Sequence, residues 1–243
     1  ALHAALTHSH AQSGPYPFTT QFPQPGMLPF EDALFQLVDL PPIDPEHPVP
    51  WIGGTLQLTD ACLLTVDLSD PDCVEAVLGL HEELAHRRVY LTKRWPGSTD
   101  DPEADLPEDP FAVLLPTLMV ATKADLIHDI DGELAVFREL TGYDYPVFPV
   151  SVETGLGLGA IGPWLFRELA IVRVYTKAPG RPPERDRPFT LRRGATVDDV
   201  ARLVHKDFAA ALKYARRWSR GGGVSQVGHD HPVEDGDLLE LHT

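Results

Sequence analysis

The sequence predicts a two-part α/β protein. A doubly wound, mostly parallel sheet occupies residues 1–170, and a small β-grasp (ubiquitin-like) fold occupies residues 171–243. Three observations carry this expectation. Apolar runs with strand character alternate with longer amphipathic segments through the first part, as parallel strands joined by crossover helices do. The second part runs strand, strand, helix, strand instead. The charge also changes at the junction: residues 1–170 hold 7 Lys+Arg against 26 Asp+Glu, a net of −19, whereas residues 171–243 hold 13 against 10, a net of +3. A shift of that size marks a domain boundary near Ala170.

Taken in order, helices are expected near 1–8, 72–86, 131–141 and 162–169, and strands near 33–39, 61–67, 88–92, 115–121 and 146–151. Ser69-Asp70-Pro71-Asp72 supplies a helix start after the strand that ends in Asp67. At that strand end, a capping or turn role is expected of Asp67. In the second part, strands are expected at 171–176 and 188–191, a helix at 196–205, and a last strand at 238–241 after Glu234-Asp235-Gly236-Asp237. The acidic run at 99–109 reads as a solvated loop between strands.

Two strings about 30 residues apart carry the chemistry. Thr122-Lys123-Ala124-Asp125 follows the apolar run Leu118-Met119-Val120-Ala121, and Ser151-Val152-Glu153-Thr154-Gly155 follows Val147-Phe148-Pro149-Val150. In open α/β sheets, ligands bind at the carboxyl ends of such strands. The Asp125 carboxylate can accept two hydrogen bonds, and guanine offers two donors side by side, N1–H and the 2-amino group. Adenine offers no such pair. Lys123 can lay its stem along a base plane, and the loop from Ser151 through Val152 and Glu153 can present a backbone N–H to guanine O6. Upstream, Phe35-Gln36-Leu37-Val38-Asp39 is an apolar strand ending in a carboxylate, the arrangement that holds Mg²⁺ through water in P-loop nucleotide enzymes. Thr19 and Thr20 offer hydroxyls in a loop before it.

At this point the residues resemble a family. Pro15-Tyr16-Pro17-Phe18-Thr19-Thr20, a Pro25-Gly26 turn and Val38-Asp39-Leu40-Pro41 resemble the Obg/developmentally regulated GTP-binding (DRG) branch of GTPases, and 121–125 and 151–155 look like its fourth and fifth nucleotide motifs. Val174-Tyr175-Thr176-Lys177, Gly194-Ala195-Thr196-Val197, His205-Lys206-Asp207 and Glu234-Asp235-Gly236-Asp237 resemble a TGS domain, which that branch carries at its C-terminus. The resemblance implies a P-loop GTPase-like sheet, GTP or GDP with Mg²⁺ held through Asp39, Thr19 and Thr20, and a slow switch acting with ribosomes or structured RNA in the cytoplasm. A degenerate or truncated G domain that hydrolyses nothing and serves as a scaffold or binding module is the alternative.

Departures from the pattern sharpen the expectation. No G-x-x-x-x-G-K-[ST] occurs in the sequence, so the phosphate cradle and its lysine are missing from these 243 residues. The expectation is that Ala1 lies just after a P-loop that was truncated or never sequenced; a relative lacking one altogether is the other reading. Pro42 stands where the family usually has a glycine whose N–H meets the γ-phosphate, and proline has no N–H. Ile43 follows where many GTPases carry a water-orienting glutamine. Thr122 replaces the usual asparagine.

Other features sort quickly. Lys213, Arg216, Arg217 and Arg220 recur at three- and four-residue spacing, so a helix over 201–220 would gather them into one basic, partner-binding edge. Gly157-Leu158-Gly159-Ala160-Ile161-Gly162 matches a dinucleotide fingerprint, but no acidic residue ends a second strand about 20 residues on, so that reading is set aside. His229-Asp230-His231 lacks a third ligand and reads as a turn. No apolar run approaches the roughly 18 residues that span a membrane. Cys62 and Cys73 suit a reducing compartment better than a disulfide framework.

Overall fold

A computed structural model describes residues 1–8, 23–43, 49, 51–98 and 109–243. The described chain divides into two compact units, Ala1–Leu28 with Gln36–Trp164, and Pro29–Phe35 with Leu165–Thr243.

The elements run α1 (Leu2–Thr7), β1 (Gln24–Phe30), β2 (Ala33–Asp39), α2 (Ile52–Leu56), β3 (Cys62–Asp67), α3 (Cys73–His86), β4 (Val89–Thr92), β5 (Val113–Thr122), α4 (Ile130–Thr141), β6 (Val147–Pro149) and α5 (Leu158–Glu168). Strands β1 and β2 form a two-stranded sheet by themselves. Pro25 and Gly26 lie inside β1, not in a turn. The glycine is there for space: a Cβ on Gly26 would lie 2.7 Å from Thr7 and 2.8 Å from His3 of α1.

The parallel sheet is built on β5. Its residues 118–121 are almost wholly buried, as a strand covered on both faces should be. Strand β3 pairs along one edge, from Cys62 opposite Thr117 to Asp67 opposite Thr122. Two other strands pair with β5 in turn, β4 at Val113–Pro116 and β6 at Met119–Ala121. Pro116 sits at the changeover, and a residue with no N–H is tolerated where ladder pairing lapses. The buried Trp95 indole covers the gap by donating to the Thr117 carbonyl at 3.3 Å.

Helices α3 and α4 close one face. Val77, Leu134 and Phe137 pack with Leu64, Val66, Met119 and Tyr145. Each such fully buried aliphatic or aromatic side chain contributes about 1.5–3 kcal/mol over its exposed state. Helix α4 is well delimited. Asp129 accepts the Gly132 N–H at 3.0 Å, and Gly142 closes the helix in the left-handed region at φ 73°. Helix α5 begins four residues before its expected start. Its glycines are poor helix formers, but Ile161 and Leu165 bury fully and hold the first turn in place.

The second unit contains β7 (Ile171–Lys177), β8 (Glu184–Arg192), α6 (Val197–Val204), α7 (Lys206–Ala211), β9 (Tyr214–Trp218), β10 (Val224–Val227) and β11 (Asp237–His242). The sheet order is β10-β9-β11-β7-β8, with β11 parallel to β7 and the other neighbours antiparallel. This is a β-grasp arrangement. Helix α6 lays Val197, Val200 and Ala201 on Val172, Val174, Leu239 and Leu241. It starts with a reciprocal capping box: Thr196 Oγ1 accepts the Asp199 N–H, and Asp199 accepts the Thr196 N–H at 2.8 Å.

The expected basic helix over 201–220 does not form. Helix α6 stops at Val204, α7 ends at Ala211, and 214–218 is a strand between β11 and β10. Helical spacing therefore does not apply to Lys213, Arg216, Arg217 and Arg220. Neighbouring strand residues point to opposite faces, and Arg217 is the clearest casualty. Its side chain is 13% exposed and tied to Asp237 and Glu234, each at 2.6 Å. Ladder pairing on both edges of the strand has overridden local helix preference.

Candidate functional site

The first unit brings the two chemistry-bearing loops together. Thr122 ends β5, Lys123 follows in the left-handed region at φ 54°, and Ala124–Leu126 forms one 3₁₀ turn carrying Asp125. The loop 151–155 follows β6. Two backbone hydrogen bonds lace them: Val150 N–H to Ala121 O at 2.7 Å, and Ala124 N–H to Val150 O at 3.0 Å. The second of these fixes the start of the Asp125 turn directly against the start of the Ser151 loop.

Each expected site residue has a definable place. The Asp125 side chain is exposed, and nothing among the described residues pairs with it. Thr122 donates its hydroxyl to the Val66 carbonyl at 3.2 Å, so it ties β5 to β3. Ser151 is fully buried and shapes its own loop. Its N–H donates to Leu156 O at 3.0 Å, and its Oγ accepts the Thr154 N–H at 3.2 Å. The Ser151 N–H is thereby used, and the exposed residues Val152 and Glu153 are among those whose N–H groups remain for a ligand.

Asp67 has the turn role expected of it, and a second one that the sequence did not signal. Its Oδ1 accepts the Ser69 N–H at 3.0 Å and the Ser69 hydroxyl at 2.6 Å, while Oδ2 meets Lys123 Nζ at 2.6 Å. Burial alone would raise the Asp67 carboxyl, but the hydrogen bonds from Lys123 and Ser69 outweigh it and hold the group below its ordinary range. The hydrogen bond to Asp67 raises Lys123 in turn. The partnership comes from strand register: Asp67 lies opposite Thr122, one residue before Lys123.

Asp39 ends β2 and is half-buried. Thr19 and Thr20 lie outside the described residues, as does the run 99–108. Pro42 is exposed, whereas Ile43 packs against the cluster of Ile52, Leu56, Leu84, Val89 and Leu115. Gly157 explains the first position of the glycine pattern without a ligand. It has φ 72°, and a Cβ there would lie 2.2 Å from Pro149 O. His231 meets Arg217 at 3.1 Å, and no group of three or more metal-ligating side chains converges among the described residues. No described helix is long and apolar enough to cross a membrane.

A parallel α/β unit with two loops at the carboxyl ends of adjacent strands is thus followed by a β-grasp unit. Comparison with known proteins agrees. Residues 172–243 match the TGS domain family. Over 97% of its length the chain is 28% identical to an uncharacterized GTP-binding protein of Methanocaldococcus jannaschii, covering 73% of that protein. It is 25% identical to developmentally regulated G-protein 1 of Arabidopsis thaliana, with 97% and 71% covered. The YchF GTPase of Schizosaccharomyces pombe shares the fold at a TM-score of 0.64 and 13% identity, covering 99% of this chain and 93% of that one. A GTP-binding protein of Pyrococcus horikoshii does so at 0.59 and 16%, covering 100% and 95%. Nearly the whole chain is therefore similar to GTP-binding proteins of the developmentally regulated type, and its residues 172–243 match a TGS domain.

Proposed function

We propose that this chain is a guanine-nucleotide-binding protein of the DRG type. The Ala124 N–H to Val150 O hydrogen bond carries the reading, because it sets an unpaired Asp125 carboxylate beside the loop 151–155. Asp125 reads N1–H and the 2-amino group, Lys123 covers the base, and the N–H groups of Val152 and Glu153 serve O6. Asp39, Thr19 and Thr20 are the residues that would hold a Mg²⁺ ion, which would supply charge neutralisation at the phosphates. The developmentally regulated G-proteins and GTP-binding proteins that the chain resembles support this reading.

Turnover is proposed to be slow. Pro42 has no N–H for a γ-phosphate, and the Ile43 side chain packs on a core cluster where a water-orienting amide would be needed. The same two residues favour the second reading, a binding module without hydrolysis. Residues 171–243, with a net charge of +3, are proposed to meet ribosomes or structured RNA through the exposed Lys213, Arg216 and Arg220. The two free cysteines fit a reducing cytosol.

The test is a base switch. Titrating GDP and its xanthine counterpart into the parent and Asp125→Asn should show guanine preference in the parent and xanthine preference in the variant, whose amide can donate to the 2-oxo group. Equal affinities in the two proteins would remove Asp125 from its role. Single-turnover GTP hydrolysis by the parent and Pro42→Gly then separates switch from scaffold.

A further inference from the structure

We propose that Asp67 is a positioning residue of the guanine site, acting through Lys123; this rests on the guanine-binding reading above. The first ground is preorganisation. Strands β3 and β5 end side by side, with Asp67 opposite Thr122. The Ser69 N–H and hydroxyl fix one oxygen of the Asp67 carboxylate, and the other oxygen takes the Lys123 ammonium at 2.6 Å. The lysine backbone is itself held in the left-handed region, uncommon for a residue with a side chain and concentrated at ligand sites.

The second ground is what this pair does not do for stability. The Lys123 side chain is 59% exposed and that of Asp67 24%. Ion pairs so placed contribute little to folding. A free lysine has among the largest rotamer freedoms of any side chain, and ordering it against a base would cost affinity. Asp67 removes that freedom before the base arrives. It also keeps the ammonium engaged on the β3 side. A released Lys123 has another carboxylate within its own turn, Asp125, and pairing there would quench the group that reads guanine.

NMR titration of the full chain with guanosine and with GDP, up to millimolar ligand, tests this. Asp67→Ala should weaken both ligands by the same factor, about threefold to tenfold, because the defect lies at the base and not at the phosphates. Asp67→Glu should recover part of the loss. In a Lys123→Ala background, Asp67→Ala should have no further effect on affinity. Parent-like affinity in Asp67→Ala, or losses that multiply in the double variant, would overturn the positioning role. If Asp125→Asn loses guanine preference while Asp67→Ala binds as the parent does, only this inference falls. A parent chain that binds neither ligand at millimolar concentration overturns both readings.

Discussion

Arg173 grips Asp235 with both prongs of its fork: Nε to Oδ1 at 2.9 Å and Nη2 to Oδ2 at 2.8 Å. The same carboxylate also accepts the Arg173 backbone N–H at 2.9 Å, which binds the turn before β11 to the middle of β7. The remaining Nη1 is shared by Glu31 and Asp32, and the guanidinium lies over the Phe166 ring at 4.8 Å. With 9% of its side chain exposed, Arg173 is a buried charge that depends on these partners.

Arg173→Met should therefore cost about 3 kcal/mol, since removing one partner of a buried pair strands the other, here moderated by the partial exposure of the carboxylates. Arg173→Lys should recover little, because a point charge cannot reproduce the fork. Urea unfolding checks both. The hydrogen bond from Arg173 holds Asp235 below the ordinary carboxyl range. Burial raises Asp32, but hydrogen bonds from Tyr175 and Arg173 outweigh it and bring that group down too. Depressed carboxyls contribute stability that is present above about pH 4 and lost as pH falls through their folded values. The gap between parent and Arg173→Met should thus narrow in acid.

His81 predicts a pH dependence of its own. Its Nδ1 meets Val77 O at 2.7 Å, its Nε2 meets the Tyr145 hydroxyl at 2.8 Å, and its ring stacks on Tyr143 at 3.8 Å. Burial lowers it below the usual 6.5, only partly offset by the Val77 carbonyl. The unfolded chain then binds the proton first, so stability should decline as pH falls below about 6.5. His81→Phe keeps the stacking and removes the titration. Its melting temperature should change less between pH 7 and pH 5 than the parent's; equal slopes would place the dependence elsewhere.

Gly157→Ala should damage the site from a distance. A methyl group there meets the Pro149 carbonyl, and the left-handed backbone disfavours alanine besides. Together these should cost about 2 kcal/mol or more. Because Leu156 O accepts the Ser151 N–H, the strain should reach the loop 151–155. The Ala124 and Ser151 amide resonances should shift, and guanosine affinity should fall. Gly159→Ala, with open space at its Cβ, is the control expected to change neither.

The sequence by itself determined the features governed by local chemistry and side-chain period. Strands β2 to β6 and helices α3 and α4 follow from apolar runs, alternation and helix-start residues, and the Thr196 start of α6 was legible as well. The positions of the loops 122–125 and 151–155 were legible because each directly follows an apolar run that forms a strand of the parallel sheet. Tertiary structure alone decided what depends on partners distant in sequence. Residues 214–218 carry helix-compatible spacing and become a strand because β10 and β11 supply hydrogen bonds on both edges. Pro25 and Gly26 look like a turn and lie in a strand because their segment pairs with β2. Lys123 and Asp67 stand 56 residues apart, and only the parallel register of β3 and β5 makes them neighbours. Arg173 is in the same position: nothing beside it in the chain announces Glu31, Asp32 and Asp235. Local propensity differs by a few tenths of a kcal/mol per residue, whereas a buried charge left without its partner costs several, so long-range pairing wins wherever the two disagree.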